Sequence, residues 1–404
     1  MTSNLTQATL ERVIAEVQRI AAPDEFQGDQ FGFKVAVSKD NHVLFVTSCE
    51  SEVAAGAVYI FTKKNDVWTF YTKITAADSL VTDHYGCSLA TNKDGSLLAV
   101  GSTHHSWDKN HGGAVYLYQK EGTSWNLFRK IMPDEATERA YFGSSVAFNS
   151  DGTVMVVGAY YDGLEETKTG LAYVYEQTEV GDWTLVATLK PSDGSEGSFF
   201  GISCSLSKDG SLIAVGAHGD SKTAANSGAV YLYTKKNGEY TQSIKLTPGD
   251  SKRNMQFGRA TAVSDDGSTV LVGAHGSSDK TSSGVAFVFA KSGVIWARQA
   301  KLVARNPIAE DGFGISVALS DNGSKAIIGA WGNDEHGEAS GSAHLFERQG
   351  SSWTEKKKVT AGDAGDHKNF GGAVSMDSSG QNVIVGSHCV SSIVPQAGAV
   401  YVFN

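Results

Sequence analysis

Proline is scarce in this 404-residue chain, with 6 residues, and cysteine scarcer still, with 4. The cysteines, Cys49, Cys87, Cys204 and Cys389, show no Cys-x-x-Cys spacing. Zinc and dithiol redox motifs are therefore excluded, and the four read as isolated buried thiols. Positive charge is also short. Against 44 Asp and Glu stand 34 Lys and Arg, a net charge of −10, and no basic run exceeds Lys356-Lys357-Lys358. A nucleic-acid or anionic-membrane partner needs a concentrated positive surface, so neither is expected. No apolar stretch approaches the ~18 residues of a transmembrane helix, which argues against membrane insertion. The start, MTSNLTQATLERV, lacks the basic and apolar regions of a secretory signal, so synthesis in the cytoplasm is expected. Catalytic signatures are missing too: no Gly-x-Ser-x-Gly, no His-Glu-x-x-His and no phosphate-cradling glycine loop. No catalytic residue and no cofactor is nominated.

What the chain does have is glycine and a period. Its 45 glycines are well above the usual share of ~7%. Phe-Gly, once Tyr-Gly, recurs at Phe31, Tyr85, Phe142, Phe200, Phe257, Phe313 and Phe370. Within the third copy, two apolar runs flank Ser150-Asp151-Gly152-Thr153, and an Asp-Gly step supplies the positive φ of a tight hairpin. The same turn returns around Asp94-Gly95, Asp209-Gly210, Asp266-Gly267 and Asn322-Gly323, and more weakly at Asp40-Asn41 and Ser379-Gly380. A third run alternates with period two, as in Gly228-Ala229-Val230-Tyr231-Leu232-Tyr233, and fits a half-buried strand. A fourth carries Trp68, Trp125, Trp183, Tyr240, Trp296 or Trp353, read as core. Four short strands per repeat describe a propeller blade.

These units resemble FG-GAP repeats, the family that builds the seven-bladed propeller of integrin α-subunits. The matching motifs are the Phe-Gly pairs and a later Gly-Ala or Gly-Ser: Gly101-Ser102, Gly158-Ala159, Gly216-Ala217, Gly273-Ala274, Gly329-Ala330 and Gly386-Ser387. The first copy departs, with Thr47-Ser48. The expected fold is all-β, a seven-bladed β-propeller of four-stranded antiparallel blades. Integrin-type blades hold calcium in a longer acidic loop between their first two strands. Here that place is taken by turns such as Ser207-Lys208-Asp209-Gly210-Ser211, with too few oxygen ligands, so no metal is expected in them.

Only three strands remain after Phe370, and an open ring would leave unpaired edges. The N-terminus supplies the fourth. Arg19, Ile20 and Asp24 fall in register with Lys73, Ile74 and Asp78, and Ile14 with the tryptophans. Residues 12–20 are expected to close the ring inside a single domain, 12–404, with 1–11 as a lead. The competing reading is an amphipathic helix over TLERVIAEVQRI.

The residue after each Gly-Ala or Gly-Ser varies: Thr103, Tyr160, His218, His275, Trp331 and His388, with Cys49 in the first copy. The resemblance puts this point on the face where the family binds partners. Such a ring can stack on sugars or anchor a protein. The plainer alternative is that these side chains pack between blades and satisfy loop carbonyls. Trp107, unmatched in other copies and set in a polar loop, reads as a contact residue. The expected function is a non-catalytic recognition or adhesion scaffold, binding a glycan or protein through loops on one face. The alternative is a structural component of a larger assembly, such as a virion or tail-fibre protein. An enzyme with a central-cleft active site is the third reading, and would show convergent titratable groups of perturbed pKa at the hub.

Overall fold

The computed structural model describes residues 15–24, 30–49, 55–106, 111–133, 137–163, 168–179, 181–276, 282–388 and 398–404. Each tight turn places its glycine or asparagine in the left-handed region, for example Gly152 at φ 76° and Asn41 at 59°. The chain therefore reverses where expected, and the strands on either side pair. Seven four-stranded sheets result, each antiparallel and built from consecutive strands except the last. The third blade runs Phe142–Phe148, Val154–Ala159, Leu171–Glu179 and Asp182–Leu189, from the axis outward.

Second strands such as Leu97–Ser102 are buried along their whole length, whereas outer strands such as Val67–Ile74 are exposed or half-buried at most positions. Alternation then sends successive side chains to opposite neighbours. Ala57, Tyr59 and Phe61 pack against the last blade, and Val58 and Ile60 against the second. The core is thus seven apolar layers, one at each blade interface.

Every Phe-Gly aromatic is fully buried. Phe142 meets Tyr173 and Tyr175 edge-on, at 5.4 and 6.3 Å. The one Tyr in the series, Tyr85, finds a partner for its hydroxyl in Tyr118, 2.9 Å away. The backbone beside each ring abuts the glycine that opens the third strand of the preceding blade. A Cβ on Gly113 would lie 2.1 Å from the Phe142 carbonyl oxygen, and all seven joints, from Gly56 to Gly398, give 2.0 to 2.2 Å. No side chain fits there. At the other end of the inner strands a second seven-fold contact closes on itself. The amides of Lys39, Lys93, Ser150, Lys208, Asp265, Asp321 and Ser378 each donate to the carbonyl of the next, and Ser378 donates back to Lys39.

The ring is completed by Glu16–Ile20, which pairs with Ala399–Phe403. Arg19 lies opposite Tyr401 and Ile20 opposite Val400, the register of Lys73 with Tyr59 and Ile74 with Val58. Ala15 and Asn404 exchange backbone hydrogen bonds of 3.1 and 3.3 Å. Over these residues the helix reading fails, because pairing a bare sheet edge outweighs modest helix propensity. Ile14 and the lead, 1–11, lie outside the described residues.

Two outcomes follow from this construction. Deleting residues 1–22 should expose an edge and lower the melting temperature sharply in calorimetry. A truncated chain melting with the intact one would contradict the closure. Gly113→Ala should cost about 2–4 kcal/mol in denaturant unfolding. Gly122→Ala, at a hairpin tip with nothing near its Cβ, should cost only about 1 kcal/mol.

Candidate binding face

The loops between second and third strands and the loops between blades lie on one face. In five blades the residue after the variable position donates its amide to an inter-blade carbonyl. The pairs are His104 to Asp83, Tyr161 to Ala140, Gly219 to Ser198, Gly276 to Met255 and Gly332 to Asp311, at 3.0–3.4 Å. Each loop is therefore stitched to the inter-blade loop that leads into its own blade.

Side chains two residues past the variable position reinforce the stitch. Tyr173 donates to Asp162 at 2.6 Å, Tyr231 to Asp220 at 2.9 Å, and Lys358 to Asn333 at 2.9 Å. His105 fills the same place and bonds both Asp83, at 2.7 Å, and Lys130, at 2.6 Å. The Asp83–His105 pair is thus a variant of a structural pillar, and it leads to an ammonium group rather than to a nucleophile. Outside the pillars, an aspartate after each of several outer strands clasps the lysine of the next blade: Asp24–Lys73, Asp78–Lys130, Asp193–Lys245 and Asp250–Lys301, at 2.6–2.8 Å. Asp363 closes the series on Arg19 of the N-terminal strand. Burial would raise the Asp78 carboxyl, but the Lys130 and Tyr116 hydrogen bonds overcome it and hold the group below its ordinary value.

Some of the variable residues make ring contacts on this face. Trp107 lies outside the described residues. Trp331 is the exposed member, at 37%. Its indole covers Gly312, where a Cβ would come within 2.5 Å of it, and it stacks on His388 at 6.4 Å. Tyr160 stacks on Tyr141 at 5.3 Å, and His218 on Phe199 at 5.0 Å. Tyr160 also meets Phe199, at 6.0 Å, so the contacts cross from blade to blade. Sequence reasoning missed the second contributor to this collar, the residue just before each Phe-Gly. Gln30, His84, Tyr141, Phe199, Gln256, Gly312 and Asn369 all have φ between 48° and 67°. Their signal was variability at a fixed register, the same signal that marked Tyr160 and His218.

Inside the collar, at the axis, two cations were also missed. Lys34 and Arg259 follow the Phe-Gly bulges of the first and fifth blades, and the Arg259 charge acts on Lys34. Neither pairs with a carboxylate among the described residues. Burial and then Arg259 push Lys34 down to about 8, and burial lowers Arg259. Nearby, the Nδ1 atoms of His218, His275 and His388 are buried without a hydrogen-bond partner. His388 lies over Gly372, against Phe33. Burial, with Arg259 next, lowers His218 to about 4 and His275 to about 3; burial, then Lys34, lowers His388 to about 4. Cys49 and Cys87 also meet here, so these two thiols are neighbours rather than isolated. The Cys49 hydrogen bond, opposed by burial and joined by Thr103 and Lys34, lowers the Cys87 thiol. Cys204 stands apart, pushed up to about 12 by burial.

The opposite mouth carries both signs of charge, with carboxylates in excess. Its cavity of about 880 Å³ is lined by Lys93 and Lys208 together with Asp40, Asp94, Asp151, Asp209, Asp265 and Asp266. Lys39 pairs there with Asp321. The turn carboxylates are engaged locally: Asp94 accepts from both the amide and the hydroxyl of Ser96, at 3.0 and 2.6 Å.

A closed ring of Phe-Gly-jointed four-stranded blades, with stitched loops gathered on one face, defines an FG-GAP-type propeller. The chain belongs to the FG-GAP repeat family. Its seven repeats match over residues 14–61, 68–118, 125–175, 183–233, 240–289, 296–346 and 353–403. No curated protein matches the sequence significantly. Among solved structures the chain is similar to Chaetomium thermophilum Sqt1, crystallised bound to the N-terminus of the ribosomal protein L10. The TM-score is 0.50 at 14% identity, covering 89% of this chain and 84% of that one. That likeness concerns the fold. No helix among the described residues is long and apolar enough to cross a membrane.

The lowered imidazoles and carboxylates set an acid response with one sign. Each binds its proton less readily folded than unfolded, so each contributes stability at neutral pH that is lost on acidification. The histidines act first, from about 6.5 down to about 4, and the clasped aspartates below their ordinary 3.8. Melting temperature should fall in two stages between pH 7 and 3. Replacing His218, His275 and His388 by Gln should flatten the first stage alone, as read by calorimetry.

Proposed function

We propose that this protein is a non-catalytic recognition scaffold, holding a partner against the loop face. The observation that carries the reading is the collar of rings, held by stitched loops at one register around the axis, with Trp331 exposed at its rim. A pre-ordered aromatic surface binds at low entropic cost. A protein segment suits it better than a glycan. Tyr160 and His218 already spend ring faces on Tyr141 and Phe199, leaving few open platforms for sugar stacking. Sqt1, bound to the N-terminus of a ribosomal protein, is an example of a similar fold used in this way. The titratable hub does not favour an enzyme: among the described residues the groups acting on Cys87 are Cys49, Thr103, Lys34 and the Gly143 carbonyl, none of them an imidazole.

A second reading has its own support. Outer strands expose Val67, Phe70, Leu127, Leu185, Val186 and Ile295 around the rim, which suits lateral packing in a larger assembly such as a virion or fibre.

Cross-linking with mass spectrometry, run beside a glycan array, separates these. Trp331→Ala and Tyr160→Ala should weaken binding of the cross-linked protein partner at least ~10-fold, Trp331→Ala with the melting temperature unchanged. Binding kept in those variants but lost in Phe70→Ser would support the assembly reading instead.

A further inference from the structure

We propose that the rim of the first and second blades is a self-association surface, through which two copies of this chain pack about a two-fold axis. This goes beyond the loop-face reading, which needs neither the rim nor a second copy.

The repeat supplies its own control. In every blade one outer-strand residue lies opposite the same aromatic position of the third strand, as Phe70 lies opposite Phe61 and Gln242 opposite Tyr233. In the fourth to the last blades this residue is polar and clasps the chain leaving the blade before. Gln242, Glu355 and Glu16 accept the amides of Ser192, Arg305 and Gly362, and Arg298 donates to the Pro248 carbonyl, at 2.5–3.0 Å. In the first three blades the same position holds Phe70, Leu127 and Leu185, each 46–48% exposed.

The next residue along divides in the same way. Ser243, Gln299 and Lys356 are engaged by the Leu232 carbonyl, the Trp353 indole and Glu347. Their counterparts are Tyr71, Phe128 and Val186. Tyr71 packs on the layer between the first and second blades and donates to the Thr123 carbonyl at 2.5 Å, and Phe128 packs on the layer between the second and third. The last blade adds Val17, on the strand whose Gln18 bonds the Trp68 backbone of the first. Apolar pairs thus line three adjacent grooves of the rim: Val17 with Phe70, Tyr71 with Leu127, and Phe128 with Leu185. Each exchange of a clasp for an apolar side chain leaves surface in water, a loss that burial by a partner reverses. The polar half keeps Arg298, Glu355 and Lys356, charges of the kind that hold bare sheet edges apart.

Area, symmetry and charge name a second copy as the occupant. The outer strands here have eight residues, about 27 Å of rise. A band of rim roughly 30 Å wide then provides the ~800 Å² per partner of a standard interface. Sheets packed ~10 Å apart put all three apolar grooves within that band. A two-fold axis through the middle groove sets the first blade of one copy against the second blade of the other, so the patch is self-complementary. The net charge of −10 keeps copies apart elsewhere. Here Val67–Ile74 and Ser124–Ile131 contain no acidic residue, and their Lys73 and Lys130 are held by Asp24 and Asp78.

The test is sedimentation of the full chain from about 1 to 100 µM, with and without residues 1–11. The expected result is a mass rising from monomer to dimer in both. Phe70→Ser and Leu127→Ser should each weaken the dimer at least ~10-fold with the fold kept, as read by circular dichroism. Leu127→Gln, which installs the clasping residue of the fourth blade, serves where a serine variant folds poorly. Ile295→Ser, at a more exposed apolar residue on the polar half, should leave the dimer as it was. A chain monomeric throughout, a dimer that survives the rim variants, or one that loses as much to Ile295→Ser overturns the proposal. So does a dimer that forms only once residues 1–11 are removed, since the lead is then the occupant of the rim. The two readings fail separately: a monomer with a Trp331-dependent partner sinks only the rim contact, and a dimer with a Trp331-independent partner sinks only the collar.

Discussion

Everything in this molecule hangs on seven places where two backbones touch with no side chain between them. At each, the carbonyl beside a buried Phe or Tyr lies against the glycine that opens the third strand of the preceding blade. The contact is too close for a Cβ, so it sets the blade-to-blade spacing by peptide geometry, which is far stiffer than side-chain packing. Repeating one spacing seven times closes the ring only if every joint is present. That is why the last blade borrows Glu16–Ile20 from the other end of the chain. The circle of seven amide-to-carbonyl bonds at the far mouth is what such closure permits: each amide finds the next carbonyl, and none is left over.

Rigidity at the joints has a consequence on the loop face. The bulge after each Phe-Gly turns the chain so that the residue before it takes a positive φ, even when it is Tyr141 or Phe199. Side chains of that size tolerate this conformation poorly, and the surrounding packing enforces it. The result is a collar whose rings are fixed in place. The stability that holds it is supplied by the seven apolar layers between blades.

How much of this was legible in the residues depended on how far each feature rests on the period. The blades, turns and closing strand were readable because Phe-Gly, Asp-Gly and the Arg19-Ile20-Asp24 register repeat at fixed spacing. The position of Tyr160, His218, His275, Trp331 and His388 was readable only as a variable one in a constant frame. Its partners, Tyr141 and Phe199, occupy an equally variable position, but their role depends on a positive φ that local sequence does not announce. Lys34 and Arg259 were the least legible. They stand four repeats apart in the chain, so the effect of Arg259 on Lys34 arises only in the folded ring. The pairing of Cys49 with Cys87 was hidden for the same reason, since contacts across a blade interface carry no sequence spacing of their own.

Closure of the ring by Glu16–Ile20 against Ala399–Phe403 is what the seven joints require. The direct measurement is amide hydrogen exchange over Ala399–Phe403 in chains with and without residues 1–22. Protection like that of the other third strands in the intact chain, lost in the shortened one, is the predicted result. Equal protection in both would contradict it.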